Sequence, residues 1–312
     1  MNTFLEDVLR GLSAKDKFLQ SKYFYDAKGD TLFQKIMGCS EYYPTKCEME
    51  IFTTQTDNLV SALTKNSSEF DIVELGAGDA TKSVHLLKRL LDNKVSFTYY
   101  PVDISANVIN LLHTSLPQKL AGLQMNGLNG EYFDMLEKAK TLSGKTKVVL
   151  FLGGNIGNVP FAKAGEFCKS MRDHLMPGDL VLTGFDLKKN PIKVLDAYDD
   201  KTGYTRDFNL NLLYRINKEL KGNFVIKDFY HFPTYDPVTG ACKSYLVSSK
   251  NQRVEIADST FYFEEGEPIF MEIAQKYTIE QTDELAMKSE FKPKQHFLDS
   301  KKWFLDTLWQ CG

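Results

Sequence analysis

From Asp71 onward, short apolar runs alternate with stretches whose apolar residues recur every three or four positions: DIVEL, SVHLLKRLL, FTYYPVD, ANVINLLHTSL, LAGLQMNG, KVVLFLGG, AGEFCKSMRDHL and DLVLTGFD. Short apolar runs read as buried strands, and the longer periodic stretches read as helices. Strand and helix in alternation at this spacing predict an α/β fold on a doubly wound parallel sheet, whose ligands sit at the C-terminal ends of the strands. Residues 1 to 65 read instead as helices interrupted by the loop CSEYYPTKCE. After Asp186 comes a helical stretch with a Gly-containing turn. An alternating β pattern follows from FYHFPTYDPVTGACKSYLVSSKNQRVEI to STFYFEEGEPIFMEIAQKY, with hairpin signals at Asp236-Pro237 and Thr239-Gly240. The last segment, Thr278 to Gly312, returns to the sheet through KQHFLDS and KKWFLDTLWQ. The expected arrangement is discontinuous. Residues 53–188 with 277–312 form the doubly wound domain, and residues 1–52 with 189–276 form a smaller α+β cap that carries the substrate.

The segment FDIVELGAGDATKS holds the first chemistry. Gly76 and Gly78 follow an apolar strand, where missing Cβ atoms let a backbone approach a ligand closely. Asp103 closes the next apolar run, 25 residues after Gly78, at the place from which a carboxylate accepts hydrogen bonds from ribose hydroxyls. Dinucleotide enzymes and S-adenosylmethionine (SAM) methyltransferases share both features. A dinucleotide turn continues GxGxxG so that a helix N-terminus can hold a pyrophosphate, whereas this turn reads GAGDAT. Asp79 would repel a phosphate, while SAM has no phosphate and carries a positive sulfonium. The turn favours SAM, against the plainer reading of a GxG as only a tight turn.

Composition narrows the partners. At 312 residues with 43% hydrophobic and 25% charged residues, the chain has the make-up of a soluble globular protein with room for two domains. No apolar run approaches the roughly 20 residues that span a membrane. Met1 to Lys17 lacks the basic start and apolar centre of a signal peptide, so a cytoplasmic location is expected. A net charge of −3 without a clustered Lys/Arg face gives no footprint for nucleic acid, which leaves a small-molecule substrate. Cysteines 39, 47, 168, 242 and 311 lack CxxC spacing and read as reduced thiols. The five histidines offer no i,i+4 metal pair, and no metal site is expected.

Further segments carry a resemblance: KYFYDAKGDTLFQKI with EYYPTKCE, FLGGNIGN followed by LTGFDLKKNP, AYDDKTGYTRDFNLNLL, and MEIAQKY. With VELGAGDATKS they resemble, over roughly residues 20 to 280, the SAM-dependent histidine Nα-methyltransferases of ergothioneine biosynthesis. The resemblance implies a Rossmann-like methyltransferase fold. It also implies a SAM site of Gly76, Gly78, Lys82, which would meet the SAM carboxylate, Asp103 for the ribose, and Glu131-Tyr132 beside the adenine, where the family usually has Asp-Phe. On the substrate side it implies that Tyr25 and Tyr42 line the amino acid pocket. Gly153 and Asn158 then lie at the substrate's amino and carboxylate end, Tyr198 binds the carboxylate, and Glu272 grips the imidazole. Tyr25 is the candidate for orienting the amine and passing on its proton. The plainer readings are an aromatic wall for Tyr25, a positive-φ turn residue for Asn158 and a solvated strand acid for Glu272. Alternation puts Glu272 on the face of Phe270 and Ala274 and favours an inward position.

The side-chain end of the pocket departs from the family. Ala274 stands where the pattern Glu-x-Ser has its serine, and Ser244, counted back from QRV, stands where the family carries a methionine against the ring. Three readings follow: a histidine Nα-methyltransferase forming N,N,N-trimethylhistidine, an N-methyltransferase for another amino acid or amine, such as an aromatic one, and a non-catalytic or NAD-linked nucleotide-binding protein.

Overall fold

The apolar runs of the middle of the chain pair into one seven-stranded sheet, while the alternating region after it forms smaller antiparallel sheets. The computed structural model describes residues 3–65 and 67–312. In chain order its elements are α1 (Thr3–Ser13), α2 (Ala27–Gly38), α3 (Tyr43–Thr54), α4 (Thr56–Thr64), β1 (Glu69–Leu75), α5 (Ser83–Asp92), β2 (Ser96–Asp103), α6 (Ala106–Lys119), β3 (Leu128–Asn129), α7 (Tyr132–Leu142), β4 (Lys147–Phe151), α8 (Phe161–Asp173) and β5 (Leu180–Asp186). They continue with α9 (Pro191–Tyr198), α10 (Tyr204–Leu220), β6 (Phe229–Tyr235), β7 (Ala241–Ser248), β8 (Gln252–Ile256), β9 (Ser259–Phe263), β10 (Pro268–Gln275), α11 (Ile279–Lys288), β11 (Phe291–Leu298) and β12 (Phe304–Cys311).

Two compact units share these elements: Met1–Tyr43 with Lys189–Ala274, and Pro44–Lys188 with Gln275–Gly312. The second is the sheet unit, with strand order β11-β12-β5-β4-β1-β2-β3. The strands β1 to β5 run parallel, and the C-terminal hairpin β11–β12 adds antiparallel to β5. After β1 the chain steps outward to β2 and β3, then returns to place β4 on the other flank of β1. The reversal between β1 and β4 makes their C-terminal edge the natural ligand crevice of an open α/β sheet. Every residue of β1 after Glu69 is buried, as a strand covered on both faces requires. Val73, Val102, Val149, Val181, Leu305 and Trp309 form part of the continuous core.

Two details of the sheet unit depart from the sequence reading. The segment LAGLQMNG forms no strand beyond the single bridge of Met125 to Tyr99; the two-residue strand β3 follows it and stops at once, because Gly130 adopts φ 155° and α7 starts soon after. The loop CSEYYPTKCE is shorter than expected, since α3 begins at Tyr43. Its residues Cys47, Glu48, Ile51 and Phe52 are buried at helical spacing. Residues 44–52 therefore belong to the sheet unit, where the sequence had placed them with the cap.

In the other unit, α1, α2 and α10 pack their apolar faces on β6 to β10 through Phe4, Val8, Leu32, Ile36, Phe208, Leu212, Leu246 and Met271. The β6–β7 hairpin turns at Asp236–Gly240, as its turn residues predict, and β8 pairs with β9 in a second hairpin. Among the described residues no helix is long and apolar enough to cross a membrane. No group of three or more His, Cys, Asp or Glu among them could hold a metal ion.

Candidate active site

The glycine turn after β1 is held from below and open above. Gly76 and Ala77 donate to the Val102 carbonyl at 2.8 and 3.1 Å, which folds the turn towards β2. Gly76 has φ 72°, and a Cβ there would lie 2.9 Å from Asn155 Nδ2 and 3.0 Å from the Tyr132 hydroxyl. At Gly78, φ 54°, no atom lies within 4 Å of where a Cβ would stand. Gly76 is thus required by close packing, and Gly78 by its left-handed backbone under open space. Asp103, at the tip of β2, accepts from Gly78 N at 3.1 Å and from Ser105 N at 2.9 Å, so one carboxylate ties the two strand tips together. Asp79 accepts from Thr81 N at 3.0 Å and closes the turn.

Glu131 stands at the N-cap position of α7, without a side-chain capping bond, and Tyr132 is the first residue of the helix. The Tyr132 ring packs edge-on against Phe151 at 5.6 Å. Burial, together with Asp103 and Glu131, raises the pKa of its phenol. The ring is committed to packing beside Gly76.

Lys82 sits at the N-cap of α5, and its ammonium is held by Glu48 of α3. Glu48 is fully buried and also accepts from Gly153 N, at 2.7 and 3.0 Å to its two oxygens. The loop FLGGNIGN after β4 turns on Gly153, φ 75°, and Gly154, φ 70°, and then enters a 3-10 turn, Asn155–Asn158. The positive φ values fall on the glycines and not on Asn158, so the turn explains the glycines but not the choice of asparagine. Asn158 itself is exposed. The sequence reading missed Glu48, although an acid at a position with the spacing of a buried helical stripe was its signal. It also missed Glu74 on β1, which is 4% exposed and accepts from the Tyr99 hydroxyl at 2.5 Å. Burial pushes the Glu74 carboxyl up to about 7, against the opposing pull of Tyr99, Ser83 and Lys82.

The other expected residues gather in the unit of Met1–Tyr43 with Lys189–Ala274. Tyr25 packs edge-on against Phe33 at 5.9 Å and Phe208 at 5.6 Å, so its ring is part of an aromatic wall. Phe33 meets Tyr42 at 6.5 Å, and Tyr42 meets Tyr198, the last residue of α9, at 6.2 Å. Three tyrosines distant in sequence thus share one array of edge-on rings, each contact worth ~0.5–1.5 kcal/mol. The loop that follows Tyr198 is clamped by Asp200, which accepts from Tyr204 N at 2.9 Å and Thr205 N at 2.7 Å. Despite burial, these bonds and the one from the Thr202 hydroxyl hold the Asp200 pKa down to about 2. Asp26 likewise accepts from Gly29 N at 2.7 Å and Asn211 Nδ2 at 2.9 Å, fixing the entry to α2.

Ser244 is buried on β7, opposite Pro233 of β6. Ala274 clusters with Val194 and Cys242, and Tyr198 and Tyr235 pack against that cluster. On β10, Ile269, Met271 and Ile273 are buried while Phe270 and Glu272 are half-buried. Glu272 therefore lies on a half-covered face rather than in the closed core, and the pleat gives it the same face as Ala274.

The chain matches the family described as histidine-specific, SAM-dependent methyltransferases over residues 4–311. It belongs to that family. It is 32% identical to the histidine N-alpha-methyltransferase of Mycolicibacterium smegmatis over 273 residues, 87% of this chain and 83% of the relative. It is 34% identical over 203 residues to ergothioneine biosynthesis protein 1 of Neurospora crassa, covering 64% of this chain and 23% of that protein. A third relative is the 4-dimethylallyltryptophan N-methyltransferase of Claviceps fusiformis, 28% identical over 202 residues, with 62% of this chain and 56% of the relative covered.

This family member is a SAM-dependent methyltransferase, and the NAD-linked and non-catalytic readings fall away. The crevice fits that cofactor. The open space over Gly78 and the carboxylate of Asp103 suit a nucleoside, and the turn offers Asp79 where a pyrophosphate would need donors. When bound, SAM supplies a methyl group activated by its sulfonium.

Proposed function

We propose that the enzyme methylates the α-amino nitrogen of a free amino acid, L-histidine foremost, to N,N,N-trimethylhistidine. The observation that carries this reading is the ring-to-ring contact of Tyr42 and Tyr198 at 6.2 Å, with Ala274 of the Glu272 strand packed beside Tyr198. Two hydroxyls assigned to the amino acid end thereby share a small region with the strand assigned to the side chain. In this reading Gly76, Gly78, Lys82, Asp103 and Glu131-Tyr132 hold SAM. Gly153, Asn158, Tyr42 and Tyr198 hold the amino and carboxylate groups, and Glu272 accepts from an imidazole N–H.

An amine attacks only as the free base. With a reference α-amino pKa of ~8, a usable neutral fraction exists near pH 7, so alignment matters more than a strong base. Tyr25 orients the amine and relays its proton towards water. Its ring, fixed edge-on by Phe33 and Phe208, leaves the hydroxyl little freedom.

A second reading, methylation of a different amino acid, is favoured by Ser244 and Ala274, which remove the family's methionine and serine from the side-chain end. The relative named for dimethylallyltryptophan shows that an aromatic amino acid is a substrate class to test. Labelled SAM with a panel of free amino acids separates the two. Under the first reading, Glu272→Ala lowers kcat/KM for histidine by roughly 10- to 150-fold, the loss of a ~1.5–3 kcal/mol hydrogen bond to a charged group, and leaves SAM affinity unchanged. If the wild type ignores histidine and methylates an aromatic amino acid, the second reading replaces the first.

A further inference from the structure

Glu48, Glu74, Asp306 and Lys82 cluster at the C-terminal edge of the parallel strands, the three acids buried and the Lys82 side chain 19% exposed. Burying charge is costly unless each group is paired. An acid kept there for packing alone would be served better by an apolar side chain. Glu48 instead joins two separate loops. It holds the Lys82 ammonium from the turn after β1 and the Gly153 N–H from the turn after β4, the strands on either side of the topological reversal.

Asp306 of β12 supports this carboxylate. Two neighbouring carboxyls do not both ionise, and neither oxygen of Asp306 meets a donor from elsewhere. Burial first, and then the charge of Glu48, push the Asp306 pKa well above the ordinary carboxylate range although Lys82 opposes it. That direction favours the neutral form of Asp306, whose hydroxyl would donate a hydrogen bond to Glu48. Room for the arrangement comes from Gly184 of β5, opposite Asp306. A Cβ at Gly184 would lie 2.6 Å from Glu48 Oε1 and 3.1 Å from Asp306 Oδ1.

We propose that Glu48 is a positioning residue that locks Lys82 to the Gly153 backbone, so that cofactor binding and amino acid binding are energetically coupled through it. The coupling half rests on the assignment of Gly153 and Asn158 to the amino acid; the lock itself does not. When SAM or its product S-adenosylhomocysteine fixes Lys82, the loop FLGGNIGN is fixed with it, and an amino acid docking there meets a loop already ordered. By reciprocity the amino acid tightens the cofactor by the same factor, typically 5- to 150-fold, or about 1–3 kcal/mol.

The test is calorimetric titration of S-adenosylhomocysteine into wild type, Glu48→Gln, Asp306→Asn and Asp306→Leu, with and without saturating histidine, alongside amide hydrogen exchange. The wild type should show reciprocal tightening, and the Gly153 amide should exchange slowly although its residue lies at the surface. In Glu48→Gln that amide should lose its protection. Affinity for S-adenosylhomocysteine should fall by about tenfold or more, and the reciprocal factor should approach one. Asp306→Asn, which keeps a donor to Glu48, should stay near the wild type, whereas Asp306→Leu should approach Glu48→Gln. A folded Glu48→Gln with wild-type coupling overturns the proposal. So does rapid exchange of the Gly153 amide in the wild type, a measurement that holds even if Glu48→Gln does not fold. Should no amino acid bind the wild type, the proposed substrate fails, while Gly153 exchange and S-adenosylhomocysteine affinity still decide the role of Glu48.

Discussion

The sheet unit buries both partners of ion pairs, whereas the other unit buries rings, neutral polar groups and a few acids whose cations stay partly or largely exposed. In the sheet unit Lys147 pairs with Asp71 at 3.1 Å, Lys276 with Asp186 at 2.7 Å and Lys82 with Glu48, and five of these six side chains are no more than 5% exposed. In the other unit the buried neutral polar groups include Ser244, Thr205, Asn209 and Asn211, while the buried acids Asp7 and Asp228 meet cations that stay partly or largely exposed and Asp200 is spent on clamping a loop. On the proposed function, the contrast follows from what each region has to recognise. A cofactor is invariant, so a site for it can rest on a pair such as Lys82–Glu48 at the C-terminal strand tips, where any change is costly, while Lys147 and Asp71 pair at the N-terminal ends of β4 and β1. In the proposed function the side-chain end rests, Glu272 apart, on rings and neutral residues, which can lose a methionine or a serine and stay folded, so specificity can drift there.

The strongest way to break this comparison is Lys276→Met. Methionine fills a similar volume but leaves Asp186 buried without its ammonium, and breaking one partner of a buried ion pair costs ~3–5 kcal/mol. Trp303 and Trp309, the two tryptophans of the chain, both belong to the sheet unit, so their fluorescence during urea unfolding reports that unit. In the other unit, removing Lys250 from its half-exposed pair with Asp228 should cost under ~1 kcal/mol. Equal costs at the two sites would end the distinction.

Next in size is a pH effect at Glu74. Its folded pKa of about 7 lies above the ordinary 4.5, so between these values the folded protein binds more protons than the unfolded chain. Stability therefore falls as pH rises through that window, by about 3 kcal/mol in all for this group. Glu74→Gln cannot ionise and keeps an acceptor for Tyr99. Its stability relative to the wild type should rise by that amount between about pH 4.5 and pH 7 and level off above. His231 in the other unit, pushed down to about 4 by burial, acts in the opposite sense but cancels in the difference. A difference that stays flat with pH would mean that Glu74 is ionised throughout.

What the sequence disclosed follows the same division. The cofactor turn was legible because its parts are local: Gly76, Gly78 and Lys82 lie within seven residues, and Asp103 closes the next strand. The final hairpin was legible too, since KQHFLDS and KKWFLDTLWQ have strand character of their own. Glu48 was not, because a glutamate in a helix ordinarily faces water, and its partners Gly153, Gly184 and Asp306 come from three distant segments. The tyrosine array was not readable from residues alone either. Nothing in the neighbourhood of Tyr25, Tyr42 or Tyr198 announces that they meet, and only the family resemblance joined them. Glu272 shows the limit of period-two reasoning, which assigned its face correctly with Ala274 but could not tell a half-covered face from a closed one.

The smallest expected effect sharpens the comparison most, because it changes specificity at little cost to folding. Ala274→Ser restores the hydroxyl that the family pattern carries. Without a ligand that hydroxyl enters the cluster of Val194 and Cys242, and an unsatisfied buried hydroxyl costs ~1–3 kcal/mol, less where the side chain rotates towards the half-covered face of Glu272. With histidine bound, it gains one hydrogen bond to the imidazole or to Glu272, ~0.5–1.5 kcal/mol net. The expected outcome is a rise of roughly 2- to 13-fold in kcat/KM for histidine relative to an aromatic amino acid, with a slightly lower melting temperature for the free enzyme and S-adenosylhomocysteine affinity unchanged. If histidine and the aromatic amino acid change together, the position 274 side chain does not face the substrate. Specificity would then rest on Ser244 and Glu272 without it.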